Sequence, residues 1–259
     1  MQITAGIISY DNTDIQSAIT TYYANYRTLM DAISETKLPP ELYIQPMIMA
    51  PPGQDPAFII QFVWAGPPSD ESQNWLDSIV GLAPGGSPAV NSLKPADYTR
   101  ELTKLIDLHI QGGDTCTVSI RSLVPSQQIV DIIAKNASLV TPEWGAIFVH
   151  MIHGQSVTPQ DDRPASVFAS RESHLMVEML GFSYKDPNEV PAASAWCKTM
   201  AGEMNAADGL LAERYFSLTH KATLDLTTTF KKDALDFLKQ LKKELDPDNV
   251  FRYPMPLGE

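Results

Sequence analysis

The sequence predicts an α+β fold, a single antiparallel β-sheet with helices packed on one of its faces. Three observations predict it. Apolar segments of strand length come in pairs, 42–49 with 57–65 and 145–153 with 165–180. Amphipathic stretches with apolar residues three and four apart lie between the pairs. The strict strand–helix alternation that builds a parallel sheet is absent. No internal repeat, low-complexity tract or composition shift is visible, so residues 1–259 read as one domain. Residues 224–259 form a C-terminal helix and tail packed on it.

Residues 2–10 are a short apolar strand. Asp11, Asn12, Thr13 and Asp14 then offer capping oxygens for a helix start. That helix carries Ile15, Ile19, Tyr22, Tyr23, Tyr26, Leu29, Met30 and Ile33 on one stripe and ends before Pro39-Pro40. In the strand at 42–49, Pro46 lacks an N–H, which predicts an edge or a bulge. The turn 51–56 makes this strand and 57–65 an antiparallel pair. Pro67-Pro68-Ser69-Asp70 opens a helix bearing Trp75, Leu76, Ile79 and Val80, and Gly81–Pro88 is a loop.

Residues 95–110 read as a further helix, with Pro95 in its first turn. Gly112-Gly113 reads as a turn into a strand at 115–122. Pro125 begins a helix with Ile129, Ile132, Ile133 and Ala137. A polar loop through Pro164 follows strand 145–153. Pro191 opens a helix running toward Leu211. The last helix, 224–245, carries Leu226, Phe230, Ala234, Phe237, Leu238, Leu241 and Leu245.

A chain of 259 residues with 44% hydrophobic and 19% charged residues can bury a substantial core. A net charge of −12 argues against nucleic acid or an anionic membrane as partner. No apolar run is long enough to span a bilayer, and the N-terminal residues lack the basic region of a secretory signal. Cys116 and Cys197 form neither a CxxC nor a metal-ligand spacing. They read as structural thiols in a reducing, cytoplasmic setting. The sequon at Asn136-Ala137-Ser138 is expected to go unused.

Side chains alternate across a strand, and the alternation sorts the sheet into two faces. One is apolar throughout: Ile44, Ile48, Phe58, Ile60, Phe62, Val118, Ile120, Val149, Leu175 and Val177. The other mixes apolar and polar groups. It carries Tyr43, Gln45, Met47 and Met49, then Gln61, then Ser119 and Arg121, then Phe148 and His150, then His174, Met176 and Glu178. Solvated faces favour Lys, Glu and Thr. Mostly apolar surface with a few convergent polar groups is the composition of a small-molecule site. His150 and His174 titrate near neutrality and suit hydrogen bonding or acid–base work. Gln61, Arg121 and Glu178 complete the catalytic candidates, with Arg121 and Glu178 as an ion pair. Tyr43, Gln45, Met47, Met49, Ser119, Phe148 and Met176 are the substrate-binding candidates. His150 and His153 fall on opposite faces, which argues against a zinc pair.

The run Leu241 to Phe251, with Asp246-Pro247-x-Asn249-x-Phe251, resembles the C-terminal signature of berberine-bridge-type FAD-linked oxidases. Asp70-Glu71-Ser72-Gln73-Asn74-Trp75-Leu76, Gly112-Gly113 followed by Val118-Ser119-Ile120-Arg121-Ser122, Phe168-Ala169-Ser170-Arg171 and Arg214-Tyr215-Phe216 resemble further segments of that family, in order. The resemblance covers the family's substrate domain and implies its fold. In the family, the mixed sheet face roofs the substrate above a flavin held by a separate glycine-rich domain. This sequence carries no counterpart of that domain and no GxGxxG or Walker loop.

The resemblance to a family of natural-product enzymes, with no flavin site in view, implies a cofactor-free cyclase. Such an enzyme would shape a hydrophobic polyketide- or terpenoid-type substrate for a non-redox cycloaddition of Diels–Alder or hetero-Diels–Alder type. Proximity, desolvation and one oriented hydrogen bond suffice for a pericyclic step. The alternative is a non-catalytic partner subunit of a separately encoded flavin oxidase. A sheet face uncovered by a flavin domain predicts a homodimer.

Overall fold

The computed structural model describes residues 2–33, 38–50, 55–88, 90–92, 94–97, 111–141, 143–154, 157, 171–183, 186–212, 214–218, 225–230 and 232–251. The segments 98–110 and 158–170 and the last residues of the tail lie outside these residues; most of the helix expected at 95–110, the end of the polar loop, the start of the strand-like segment 165–180 and the Phe168–Ser170 motif fall there.

The described strands form one eight-stranded, wholly antiparallel sheet. In chain order they are β1 (Gln2–Ser9), β2 (Leu42–Met49), β3 (Ala57–Trp64), β4 (Val90–Asn91), β5 (Lys94–Asp97), β6 (Gln111–Ile120), β7 (Trp144–Ile152) and β8 (His174–Ser183). The sheet order is β4-β1-β3-β2-β7-β8-β6, with β5 beside β4 on the edge of β1. The helices are α1 (Ile15–Ile33), α2 (Asp70–Val80), α3 (Gln127–Ala137), α4 (Val190–Asn205), α5 (Leu226–Thr229) and α6 (Lys232–Leu245). The α+β class, the antiparallel sheet and the helical layer on one face are as the sequence predicts.

The element order contains a duplication. β1-α1-β2-β3-α2 and β6-α3-β7-β8-α4 are the same strand–helix–strand–strand–helix unit. Their strands appear in the sheet as β1-β3-β2 followed by β7-β8-β6, so the second unit mirrors the first. The units meet where β2 and β7, their equivalent strands, pair over Met47↔Phe148, Ile48↔Ile147 and Met49↔Ala146. The repeat is invisible in the sequence because apolar burial constrains residue class rather than identity.

All ten residues of the expected apolar face are buried in one core cluster under the helices. α1 contributes aromatics where its stripe meets the sheet. Tyr22 lies 5.2 Å from Phe58 and 5.8 Å from Tyr10, ring to ring, geometry that adds to the area each ring buries. Ser69 caps α2, with the Ser72 hydroxyl reaching back to the Ser69 N–H at 2.9 Å.

Several local expectations change. Pro46 lies in the central strand β2 rather than on an edge or in a bulge. It is tolerated because the β2–β7 ladder runs only from Met47 to Met49, so no ladder bond is lost there. Lys94–Asp97 is an edge strand on β1, not the start of a helix; Pro95 fits an edge. Gly112-Gly113 lies inside β6, at a register shift between Gln111 and Asp114, rather than in a turn. Gly113 has φ 123°, and a Cβ there would meet the Gly181 carbonyl oxygen at 2.1 Å. α4 stops at Asn205. Leu211 beyond it donates its N–H to the Ser119 carbonyl, 2.9 Å. The Asn136 side chain of the sequon is buried and donates to the Ile132 carbonyl and to Glu203.

The C-terminal segment departs most. It divides at Phe230 into α5 and α6. Leu235 is buried, yet Phe237, Leu241 and Leu245 stand exposed, as do Val250 and Phe251. The tail is tied by Asp246, whose carboxylate accepts from the Val250 and Phe251 amides at 2.8 and 3.0 Å and pairs with Lys242.

Candidate functional site

The mixed face is built where the two units meet. Continuing the β2–β7 register sets Gln45 opposite His150. The Gln45 amide nitrogen lies 3.1 Å from His150 Nδ1, and the Tyr43 hydroxyl 3.2 Å from the same atom. On the far side of the ring, His150 Nε2 is 2.9 Å from Glu178 Oε2. Tyr43, Gln45, His150 and Glu178, from three adjacent strands, thus form one connected polar group.

The bonding fixes the chemistry of the imidazole. The Glu178 carboxylate can only accept, so the neutral ring carries its proton on Nε2 and donates it there, leaving the single Nδ1 lone pair to accept from either the Tyr43 O–H or the Gln45 N–H₂. Glu178 therefore orients the ring and balances charge if the imidazole gains a proton. Glu178 is only 6% exposed, and a buried carboxylate is retained where a partner compensates its desolvation. Burial, then the nearby charge of Glu178, raises the Tyr43 hydroxyl far above its ordinary range. Tyr43 consequently stays a neutral hydrogen-bond donor at the half-buried rim of the group.

The other candidates divide into two sets. Met47, Met176 and Ser119 are buried beside the network, and Met49 and Phe148 are half-buried around it. Gln61 sits opposite Gln45 in register, also half-buried. His174 lies apart: it is buried, with Nδ1 2.8 Å from the Glu172 carbonyl. Arg121 falls one residue beyond β6 and pairs at 3.5 Å with Glu172, both side chains exposed. The expected Arg121–Glu178 pair is thus replaced by two others, Arg121–Glu172 and His150–Glu178. Thr117, buried and opposite Glu178 in register, was not among the candidates, although alternation along β6 places it on this face.

The face is also better covered than expected. Gln45, Met47, Ser119, Met176 and Glu178 are all buried within the single chain, so its centre offers no broad exposed apolar patch. Among the described residues, no cluster of His, Cys, Asp and Glu could hold a metal ion, and no helix is long and apolar enough to cross a membrane.

No family model and no curated protein sequence matches this chain. Solved structures do. A glycopeptide hexose oxidase complexed with teicoplanin superposes at a TM-score of 0.74 with 14% identity, over 100% of this chain and 55% of its own. The fold is that of the substrate-binding domain of berberine-bridge-type FAD-linked oxidases. BBE-like 1 of Physcomitrella patens superposes at 0.71 with 13% identity, over 100% of this chain and 54% of its own. A xylooligosaccharide oxidase from Myceliophthora thermophila in complex with xylobiose gives 0.65 and 15%, over 98% and 54%. The chain spans about half the length of these proteins.

Proposed function

We propose that the chain is a cofactor-independent cyclase that holds a hydrophobic, natural-product-type substrate on the mixed sheet face for a non-redox cycloaddition. One observation carries this reading: a Tyr43–His150–Glu178 chain with Gln45 on the same ring, backed by buried Met47 and Met176 and reaching the surface at half-buried Tyr43, Met49 and Phe148. A pericyclic closure needs two reacting ends held together and a donor aimed at a carbonyl that gains negative charge. Tyr43 is that donor: its one proton turns from His150 Nδ1 to the substrate carbonyl, and the Gln45 amide keeps Nδ1 satisfied. Glu178 offsets charge that develops on the imidazole. The apolar wall excludes water from the folded substrate.

The test is incubation with substrates bearing a conjugated diene tethered to an enone. The expected product is an isomer of the substrate, formed above the buffer rate. Tyr43→Phe and His150→Ala should each slow it by about 10²-fold. A product two hydrogens poorer, or equal turnover in His150→Ala, would overturn the reading. So would flavin absorbance co-purifying with activity.

A second reading has its own observation. Phe237 is 55% and Leu245 75% exposed along one stripe of α6, and Phe251 in the tail is 75% exposed, while the chain covers only about 54% of the length of the solved proteins it resembles. The stripe suits docking to a flavin-binding partner, which would make the chain a binding subunit. Co-elution with such a partner, lost in Phe237→Lys, would support that reading; unchanged elution would oppose it.

A further inference from the structure

The chain has two cysteines, far apart in sequence, and the fold brings them together. Cys116 shares the helix-facing side of β6 with Val118 and Ile120, and α4 packs across that side. The crossing is pinned by Lys198 of α4, whose ammonium lies 2.7 Å from the Asp114 carboxylate of β6. Cys197 precedes that lysine and is fully buried. Its sulfur lies 3.2 Å from the Met179 carbonyl oxygen, and Met179 is the β8 residue paired with Cys116. Met179 thus sits between the two cysteines, and their sulfurs are near enough for each to shift the other's hold on its proton.

Close approach is possible because β8 has no side chain at Gly181. A Cβ there would lie 2.8 Å from the Cys197 Cβ and 2.5 Å from the Ala193 carbonyl oxygen. The glycine lets α4 settle onto the sheet deeply enough for the thiols to meet.

We propose that Cys116 and Cys197 are a peroxide-reactive dithiol site, converted by oxidation to an intramolecular disulfide that ties α4 to β6. The two sulfurs have different roles. Cys116 is partly exposed. The neighbouring Cys197 thiol, helped by Lys198 and opposed by burial and Asp114, holds its thiol below the ordinary range. It is the nucleophile. Cys197 is buried, with its thiol pushed up by its bond to Cys116 and by burial. It is the resolving thiol.

The steps balance. The Cys116 thiolate attacks one peroxide oxygen, the O–O bond breaks, and a sulfenic acid forms while hydroxide leaves and becomes water. The Cys197 sulfur then attacks the Cys116 sulfur. The S–S bond forms, and the sulfenic oxygen departs as water with the Cys197 proton. Two thiols and one hydrogen peroxide give one disulfide and two waters, the two electrons passing from sulfur to peroxide.

The test treats the folded full chain with hydrogen peroxide, then unfolds it and counts thiols by a chromogenic reagent and intact mass. Both thiols are expected to vanish together, with a mass loss of two hydrogens, in a monomer that reductant restores. Cys197→Ser should trap Cys116 as a sulfenic acid that dimedone labels; Cys116→Ser should leave Cys197 unreacted. The proposal is overturned if both thiols survive in the wild-type chain. It is equally overturned if Cys116 passes to the sulfinic acid while Cys197 stays reduced. Either wild-type result stands even if a variant fails to fold.

Discussion

Tyr10, Tyr22, Tyr23 and Tyr43 all hold their protons far above the ordinary tyrosine value of 10. Burial is the leading cause at each; the charge of Glu178 adds to it at Tyr43. Tyr22 and Tyr23 also lack a partner for their buried hydroxyls among the described residues, so nothing there stabilises an oxyanion. The folded values lie above the unfolded one. The stability linked to these groups is therefore complete below about pH 10 and is lost as pH rises beyond it. Absorbance titration of the native chain should leave four of nine tyrosines silent to about pH 11, with unfolding releasing them. All nine ionising near pH 10 without unfolding would contradict these burials. Strand alternation placed Tyr43, Gln45, His150 and Glu178 on one face from the sequence alone. It could not say that Glu178 would meet His150 rather than Arg121, because strand pairing and the end of β6 at Ile120 are set by tertiary contacts. The meeting of Cys116 and Cys197 was hidden for the same reason.

Among the elements, β8 meets α4 closely only because one side chain is absent. Gly181→Ala puts a methyl against the Ala193 carbonyl and the Cys197 Cβ, backbone and core atoms that cannot swing aside. The expected cost is about 1–3 kcal/mol, seen as a melting temperature lower by several degrees. Gly202→Ala, which meets nothing within 4 Å on α4, is the control and should melt as the wild type does or slightly higher. Equal melting of the two variants would refute the close approach. Helices with a clear stripe were legible, as α1 and α3 show, because their periodicity coincides with their burial. Edge strands were not. Lys94–Asp97 has no apolar alternation, and it is held in the sheet by backbone bonding to β1. The break at Phe230 and the exposure of Phe237 and Leu241 also escaped, since a stripe shows that a helix has an apolar side and not what covers it.

For the molecule as a whole, the antiparallel sheet with one helical layer followed from paired strands and intervening stripes. The doubling of the strand–helix–strand–strand–helix unit did not, because the two copies share a pattern of burial without sharing residues. The doubling has a consequence for either copy made alone. A polypeptide of residues 1–97 would keep β1, β2 and β3 side by side but leave Leu42–Met49 as an open edge. The strand that normally fills that edge is the equivalent strand of the other unit, running antiparallel to it. A second copy of the same fragment can offer the same strand in the same orientation, related by a two-fold axis across that edge. The fragment should therefore self-associate into a symmetric pair, measurable by light scattering, and a charge at Met47 or Met49 should dissociate it. A monodisperse monomer would refute this. On this view the intact chain is a dimer in which both subunits have been joined, free to vary one half against the other, so that Gln45 on one strand can face a different residue, His150, on its counterpart.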